Sequence, residues 1–587
     1  MTTTRRVAPA ALLAGGCALA LAACGGGGGG NQVGKIPGPV SGQKKGGTLK
    51  VITNEAWEHL DPGASYFQID YLVEYATQRP LYSFKPTDFT KPVPDMAAGE
   101  PQISADNKTV TIKIRPNVKF SPPVNRAVTS KDVKYAIERG FNPTVANGYE
   151  PSYFANAAVG ALVGATNAKG ATIATGGPIA GIQTPDDQTI VFKLTKPFAR
   201  TFVKALSLPV TAPVPEDYVT KNGFDRKSPA VYDSDPTKQA FTGPYMIAQY
   251  SAGKHLLLVR NPNWDPKTDY RPAYVDRIDW SAGADPTVAA RQTLTGRGIV
   301  MGDTPTAPTV KQAVERYKAQ IAFVPQGNRY ISMNTSIPPF NNVNLRKAVI
   351  AATNRVALQK TRGGPAAGDI GTHYLAPTGP GFDAAGGKKG PALDFLANPN
   401  GNPRLAAAYM KKAGFPSGRY TGPAISMVGD NSDPASKTAQ VALATFQSLG
   451  FKVNFRSVTH DTMYSKFCNV PKQKVQVCPN VGWLPDFPDG YAWLWATFNS
   501  EAIVPENNSN WPQLRDPKVD QAMVTAEAQT DPAKRADAWG KVDRLITADA
   551  VAVPWFWDKQ PNIQSKGVQG VIAQWNADWD LSYTSLK

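Results

Sequence analysis

Three consecutive stretches constrain the fold more than any others in this chain. Residues 424–428 read as a strand, 437–449 as a helix and 453–457 as a strand. Parallel neighbours need a crossover of about a dozen residues, and a helix of this length supplies one. The order predicts a βαβ unit and a parallel sheet, so the chain is α/β. Residues 108–115 alternate strictly, as an exposed antiparallel strand does. Thr129 and Asp132 precede an apolar helical pattern and predict an N-cap with its acidic partner. At 587 residues the chain outgrows one core, and two or three lobes are expected.

Residues 480–498 carry the densest functional signal. Val481-Gly482-Trp483 opens like a short buried strand. Leu484-Pro485-Asp486-Phe487-Pro488-Asp489-Gly490 then breaks it, because two prolines and a glycine exclude both helix and central strand. Asp486 and Asp489 are presented among aromatics, ahead of the apolar run 491–498. A carboxylate in an aromatic loop at a strand end suits a cation or an amine. It equally suits an aspartate capping an ordinary turn, and the stretch alone leaves both readings open.

The N-terminus reads as an export signal. Arg5 and Arg6 form a positive n-region, and residues 7–23 are apolar and rich in Ala and Leu. Leu21-Ala22-Ala23-Cys24 resembles a bacterial lipobox, which implies cleavage before Cys24 and a diacylglycerol on its thiol. Six glycines follow, and residues 24–46 read as a flexible tether. Cys17 lies in the signal, leaving Cys468 and Cys478 as an even pair in an exported protein, and a disulfide is expected. A metal site would want further ligands at close spacing; His59, His255, His373 and His460 are far apart, so none is expected. The net charge of +17 is scattered, without a basic arm or a nucleic-acid-binding motif, and excludes a nucleic-acid partner. There is no Walker loop, no zinc-protease helix and no nucleophile elbow. No cofactor and no enzymatic activity are expected.

Four segments together carry a family resemblance. Val118-Lys119-Phe120 with residues 129–135 is the first. Thr242-Gly243-Pro244-Tyr245 with residues 259–264 is the second, and residues 334–340 with Leu345-Arg346-Lys347-Ala348 the third. Gly482-Trp483-Leu484-Pro485-Asp486-Phe487-Pro488-Asp489 is the fourth. In this order they resemble bacterial extracellular solute-binding proteins of the peptide/nickel type, family 5. Gly490 departs from that pattern, which often has proline there.

The resemblance implies a two-lobed, type II-like periplasmic-binding-protein fold with an inserted subdomain and two crossovers. Lobe I would take residues 47–83, 226–325 and 554–587, the inserted subdomain 84–225, and lobe II 326–553. The crossovers would fall at 324–329 and 552–554. It implies a monomeric receptor, anchored through Cys24, that hands di- or oligopeptides to an ABC permease and its ATPases. Asp486 would pair with the ligand's α-ammonium group. Trp57, Tyr330, Asn334 and Trp483 would line the cleft, Asp489 would shape the turn, and Arg346 would be structural. A sugar, an opine or a metal complex is the alternative ligand, and an envelope hydrolase the alternative class.

Overall fold

The computed structural model describes residues 42–587 except 87, 146–149, 174, 224–231, 233–234, 571–575 and 578. The expected signal, Cys24 and most of the tether lie outside the described residues.

The strand Thr48–Ile52 seeds the first sheet. Leu49 and Val51 are buried while Thr48 and Lys50 face out, and that alternation pins the register. It lies parallel to Arg277–Ser281 and to Ile299–Met301. The hairpin Tyr245–Ser251 and His255–Arg260 extends it into a five-stranded sheet. A separate four-stranded antiparallel sheet holds Thr109–Lys113 beside Thr189–Lys193. Beside it, the helix Ser130–Gly140 starts as the sequence predicts: the Asp132 carboxylate accepts from the Thr129 N–H at 2.8 Å.

The second large sheet has six strands. Their order is Gly368–Asp369, Ala552–Ile563, Ile321–Met333, Val477–Trp483, Ile425–Asp430 and Val453–Val458. The last two run parallel and are joined by the helix Ala435–Ser448, which is the βαβ unit read from the sequence.

Two long strands tie the sheets together. Ile321–Met333 and Ala552–Ile563 pair antiparallel, with a slip between Pro325 and Asn328. Beyond the slip, Gln564 bridges Val300 at the edge of the five-stranded sheet. Pro325 and Gly327 make this stretch look like a break in sequence, yet the strand runs through it. Gly327 is required there, because a Cβ would sit 1.9 Å from the Trp483 carbonyl oxygen. The expected second crossover is corrected. Ala552 and Pro554 pair with Ser332 and Tyr330 inside the six-stranded sheet, and the chain crosses later, where Lys559 and Gln560 face Pro325 and Val324.

Residues 155–181, although rich in Ala, Gly and Thr, are partly core. Ala155, Ala161, Leu162, Ala165 and Ile179 are all buried. Leu162 bridges Leu194 and the Ile179 N–H donates to Glu138, so the segment packs on the four-stranded sheet and the helix Ser130–Gly140, and its Asn156 also reaches the helix Gly490–Phe498. Asn156 donates to the Tyr491 hydroxyl at 2.6 Å, and Tyr491 donates to the Ser152 carbonyl at 2.5 Å. That helix is apolar all round and every residue of it is buried. Gly490 starts it because a Cβ would meet Trp539 Cγ at 2.2 Å, which also explains its departure from the family's pattern. Arg346 is structural, as expected: its guanidinium donates to the carbonyls of Phe340, Asp549 and Ala550.

Candidate functional site

The strand Val477–Trp483 ends at a cavity of about 1170 Å³ between the two large sheets. One wall comes from the loop after Thr48–Ile52 and the start of the helix Gln68–Thr77. The other comes from residues around His460 and from Trp483, Leu484 and Asp486. This volume exceeds that of an ordinary drug-sized pocket and leaves room for an extended ligand.

Asp486 sits in this wall at 3% exposure. The Tyr153 hydroxyl donates to its Oδ2, and among the described residues no Lys or Arg pairs with it. Burial pushes the carboxyl up to about 7, against the opposing pull of the Tyr153 hydrogen bond. Aromatic rings surround it. Tyr153 stacks at a tilt 5.1 Å from Phe487, and Tyr66 lies edge-on 6.2 Å from Trp483. A carboxylate without a cation, in an aromatic cage that opens on a cavity, is incomplete until a cation arrives.

Trp483 lines the cavity, its indole N–H held by the Ala492 carbonyl at 2.8 Å. Trp57 also lines it, packed edge-on against Trp280 at 5.4 Å. Its own Nε1 is buried without a hydrogen-bond partner. Tyr330 and Asn334 correct the reading. Tyr330 is fully buried among Tyr374, Phe498 and Trp511, behind the cavity wall. The Asn334 side chain accepts from Ser336 N at 3.1 Å and donates to the Val475 carbonyl, so it shapes a turn away from the cavity. Both stand on Ile321–Met333 or at its end. That strand reaches the cavity only through Gln326, Gly327, Asn328 and Arg329, and from Tyr330 onward its side chains meet other side chains.

Cys468 and Cys478 are joined as a disulfide. The bridge ties the end of the helical segment Met463–Cys468 to the strand that carries Trp483. Asn469, next to the bridge, accepts from the Trp511 indole at 2.7 Å, and both residues line the cavity.

His460 is a wall residue that sequence reasoning passed over, because its partners are distant in the chain. Its Nδ1 lies 2.6 Å from Asp430 Oδ2 on its own side of the cavity. Glu55 Oε1 lies 3.9 Å away on the opposite side. These three side chains are close enough to hold a metal ion, but the imidazole already shares its Nδ1 with Asp430. Burial pulls His460 down, yet Glu55 and Asp430 outweigh it, against Arg329, and hold it up to about 9. A histidine raised from 6.5 stabilises the folded chain fully below that value and loses the contribution as pH rises through 9. The melting-temperature gap between the wild type and His460→Gln should therefore be widest near pH 6 and close by about pH 10. A gap that stays constant over that range would remove His460 from this ion pair.

The model of bacterial extracellular solute-binding proteins, family 5 Middle, matches residues 91–504. A putative ABC transporter peptide-binding protein of Brucella ovis is 25% identical over 517 residues, which is 85% of this chain and 84% of the relative. The dipeptide-binding protein DppE of Bacillus subtilis is 23% identical over 491 residues, 82% of each chain. The solved structure of Helicobacter pylori DppA with the peptide STSA shares the fold. It has a TM-score of 0.74 and 18% identity over 92% of this chain and 98% of that one. The family match takes in most of the chain, and this protein belongs to the bacterial extracellular solute-binding proteins of family 5, the extracytoplasmic solute-capturing subunits of ABC importers.

Proposed function

We propose that the captured solute is a peptide with a free amino terminus and that Asp486 receives its α-ammonium group. The observation that carries this reading is the cation-less carboxylate of Asp486, enclosed by Tyr66, Tyr153 and Trp483 at the wall of a large cavity. The printed names of the relatives agree in class, since those of Brucella ovis and Bacillus subtilis are peptide- and dipeptide-binding proteins. Ligand touching both walls favours the closed arrangement by its differential affinity, and the closed form is what the permease and its ATPases engage. The chain acts as a monomer held to the outer face of the membrane by lipid on Cys24. The Leu21-Ala22-Ala23-Cys24 motif and the glycine run behind it support that anchor.

A thermal-shift screen tests the ligand class. Di-, tri- and longer peptides are compared with their N-acetylated forms, with sugars and with nickel chelates. A peptide present at a hundred times its dissociation constant should stabilise the fold by about 2.7 kcal/mol. Acetylation should abolish the shift. Stabilisation by a sugar or a chelate, with none by any peptide, would overturn the reading.

A further inference from the structure

The net charge of +17 is scattered along the sequence, but folding gathers part of it at one pole of the five-stranded sheet. Lys44 and Lys45 end the tether segment, and both are exposed. Exposed Arg277 starts the strand Arg277–Ser281 opposite Thr48, and its N–H donates to the Gly47 carbonyl at 3.3 Å. Exposed Arg297 stands just before the strand Ile299–Met301 and bridges Lys566, which is exposed too. The carbonyl of Gly298, beside Arg297, accepts from the Lys50 N–H at 2.8 Å. These five cations therefore ring the start of one strand, Thr48–Ile52.

Little acid accompanies them. Asp276 lies at the same pole, but it is taken by Arg260 at 3.1 Å and by the Gly47 N–H at 3.0 Å. Among the described residues, none of the five cations has an ion pair. Other exposed lysines do have one: Lys91 with Glu100 at 3.0 Å, Lys131 with Asp187 at 3.4 Å and Lys541 with Asp537 at 2.6 Å. Unpaired like charges repel one another, and an anionic surface relieves that repulsion.

A second observation says which surface. The chain arrives at this pole from Cys24 through residues 25–41. Gln43 is fixed here, its amide donating to the Tyr583 carbonyl and to Ser585 Oγ at 2.9 Å each. A Gly-rich coil of that length has a root-mean-square span of about 20–25 Å, which keeps the patch close to whatever holds the other end. The cavity lies at the opposite pole. Three parallel strands run away from the patch, and the residues that follow them, Asn54, Gly283 and Gly302, line the cavity. A strand of 5 residues puts roughly 16 Å between the two poles.

We propose that this basic pole is a docking surface for anionic phospholipid headgroups, and that it holds the chain on the membrane with the cavity on the side away from the lipid. The inference rests on the anchor at Cys24 proposed above, which selects the membrane among anionic surfaces. The lipid on Cys24 keeps the protein at the membrane, and the patch sets which way it faces.

The test uses the full mature chain with Cys24→Ser, which carries no lipid. Its flotation is measured with vesicles of phosphatidylcholine alone and with about one-third phosphatidylglycerol. Binding should need the phosphatidylglycerol and should fade as salt rises from about 0.05 to about 0.5 M. A variant combining Lys44→Gln, Lys45→Gln, Arg277→Gln, Arg297→Gln and Lys566→Gln should bind at least about thirtyfold more weakly, since each basic group near such a surface is worth about fivefold. A control combining Lys85→Gln, Lys119→Gln, Lys169→Gln, Lys193→Gln and Lys221→Gln removes the same charge from exposed sites on the inserted segment, and should lose less than about threefold. Melting temperature and near-ultraviolet circular dichroism confirm that both are folded. A fluorophore at Thr48→Cys should be quenched by headgroup-labelled lipid, and one at Thr287→Cys, on the cavity rim, should not. No binding to the anionic vesicles overturns the inference and leaves the anchor standing, because the chain tested has no lipid. Equal losses in the two variants overturn it in favour of net charge alone, and equal quenching overturns the orientation. Mass spectrometry that finds no acyl chain on Cys24 of the native protein overturns the anchor and not the vesicle result.

Discussion

Asp489→Ala should destabilise the fold by about 3–5 kcal/mol, as removal of one partner from a buried charge network does. Asp489 is 2% exposed and accepts from Lys204 Nζ at 2.6 Å and Arg535 Nη2 at 2.8 Å. Burial alone would raise its carboxyl. Lys204 and Arg535 overcome that and hold it well below the usual carboxylate range. Arg535 is itself largely buried and shared with Glu527. Losing Asp489 leaves a guanidinium with too little countercharge, and leaves Lys204 of the inserted segment with nothing to hold. The same side chain caps the helix Gly490–Phe498 by accepting from the Tyr491 N–H at 2.9 Å, a role worth about 1 kcal/mol. Asp489→Asn keeps an acceptor for the cap and loses the charge, so it should recover about 1 kcal/mol of the alanine loss. Denaturant unfolding of the three chains checks both numbers. A loss below about 1 kcal/mol for alanine would mean that the network contributes no more than an exposed pair.

This role was illegible in the sequence for a definite reason. The Pro-Asp-Phe-Pro-Asp turn announces that Asp489 leaves a strand, and turn formation is what local spacing supports. Its two cationic partners stand 285 and 46 residues away, and nothing in their own neighbourhoods marks them. The βαβ unit, the Thr129–Asp132 cap and the Cys468–Cys478 bridge were legible because each is set by residues close in sequence. The long strands Ile321–Met333 and Ala552–Ile563 are hard to see in the sequence for a related reason. Proline and glycine punctuate them where they cross between lobes, and only pairing with each other carries them through. Tyr330 and Asn334 show the limit of arguing from strand ends. A position at the end of a strand opens on a cleft only if no further layer covers it, and Tyr374, Phe498 and Trp511 cover this one. Asp486 was legible as a candidate. Its Tyr153 partner, brought in by the inserted segment, was not.

Asp486→Asn should weaken an amine-bearing peptide by well over tenfold, because it removes the countercharge of a buried ammonium group, worth about 2–5 kcal/mol. The pH dependence separates this from a general loss of structure. In the free protein Asp486 titrates at about 7, held up chiefly by burial, and an ammonium ligand needs it ionised. Affinity should therefore be flat just above pH 7 and fall as pH drops below it, by up to about tenfold per unit, with proton release on binding. Measurements between about pH 5 and 7.5 keep the peptide's own amine charged. The asparagine variant should show the weakened affinity with no such slope. Stability moves the opposite way. A carboxyl raised from 3.8 in the folded chain imposes a cost that is absent below 3.8, grows as pH rises towards 7 and is complete above it. Asp486→Asn should therefore melt at or above the wild-type temperature at pH 8 while binding peptide poorly. A variant that binds like the wild type at pH 7, or one whose affinity keeps the same slope, would place the amine elsewhere in the cavity. A variant that loses binding only because it melts lower would reduce Asp486 to a structural residue.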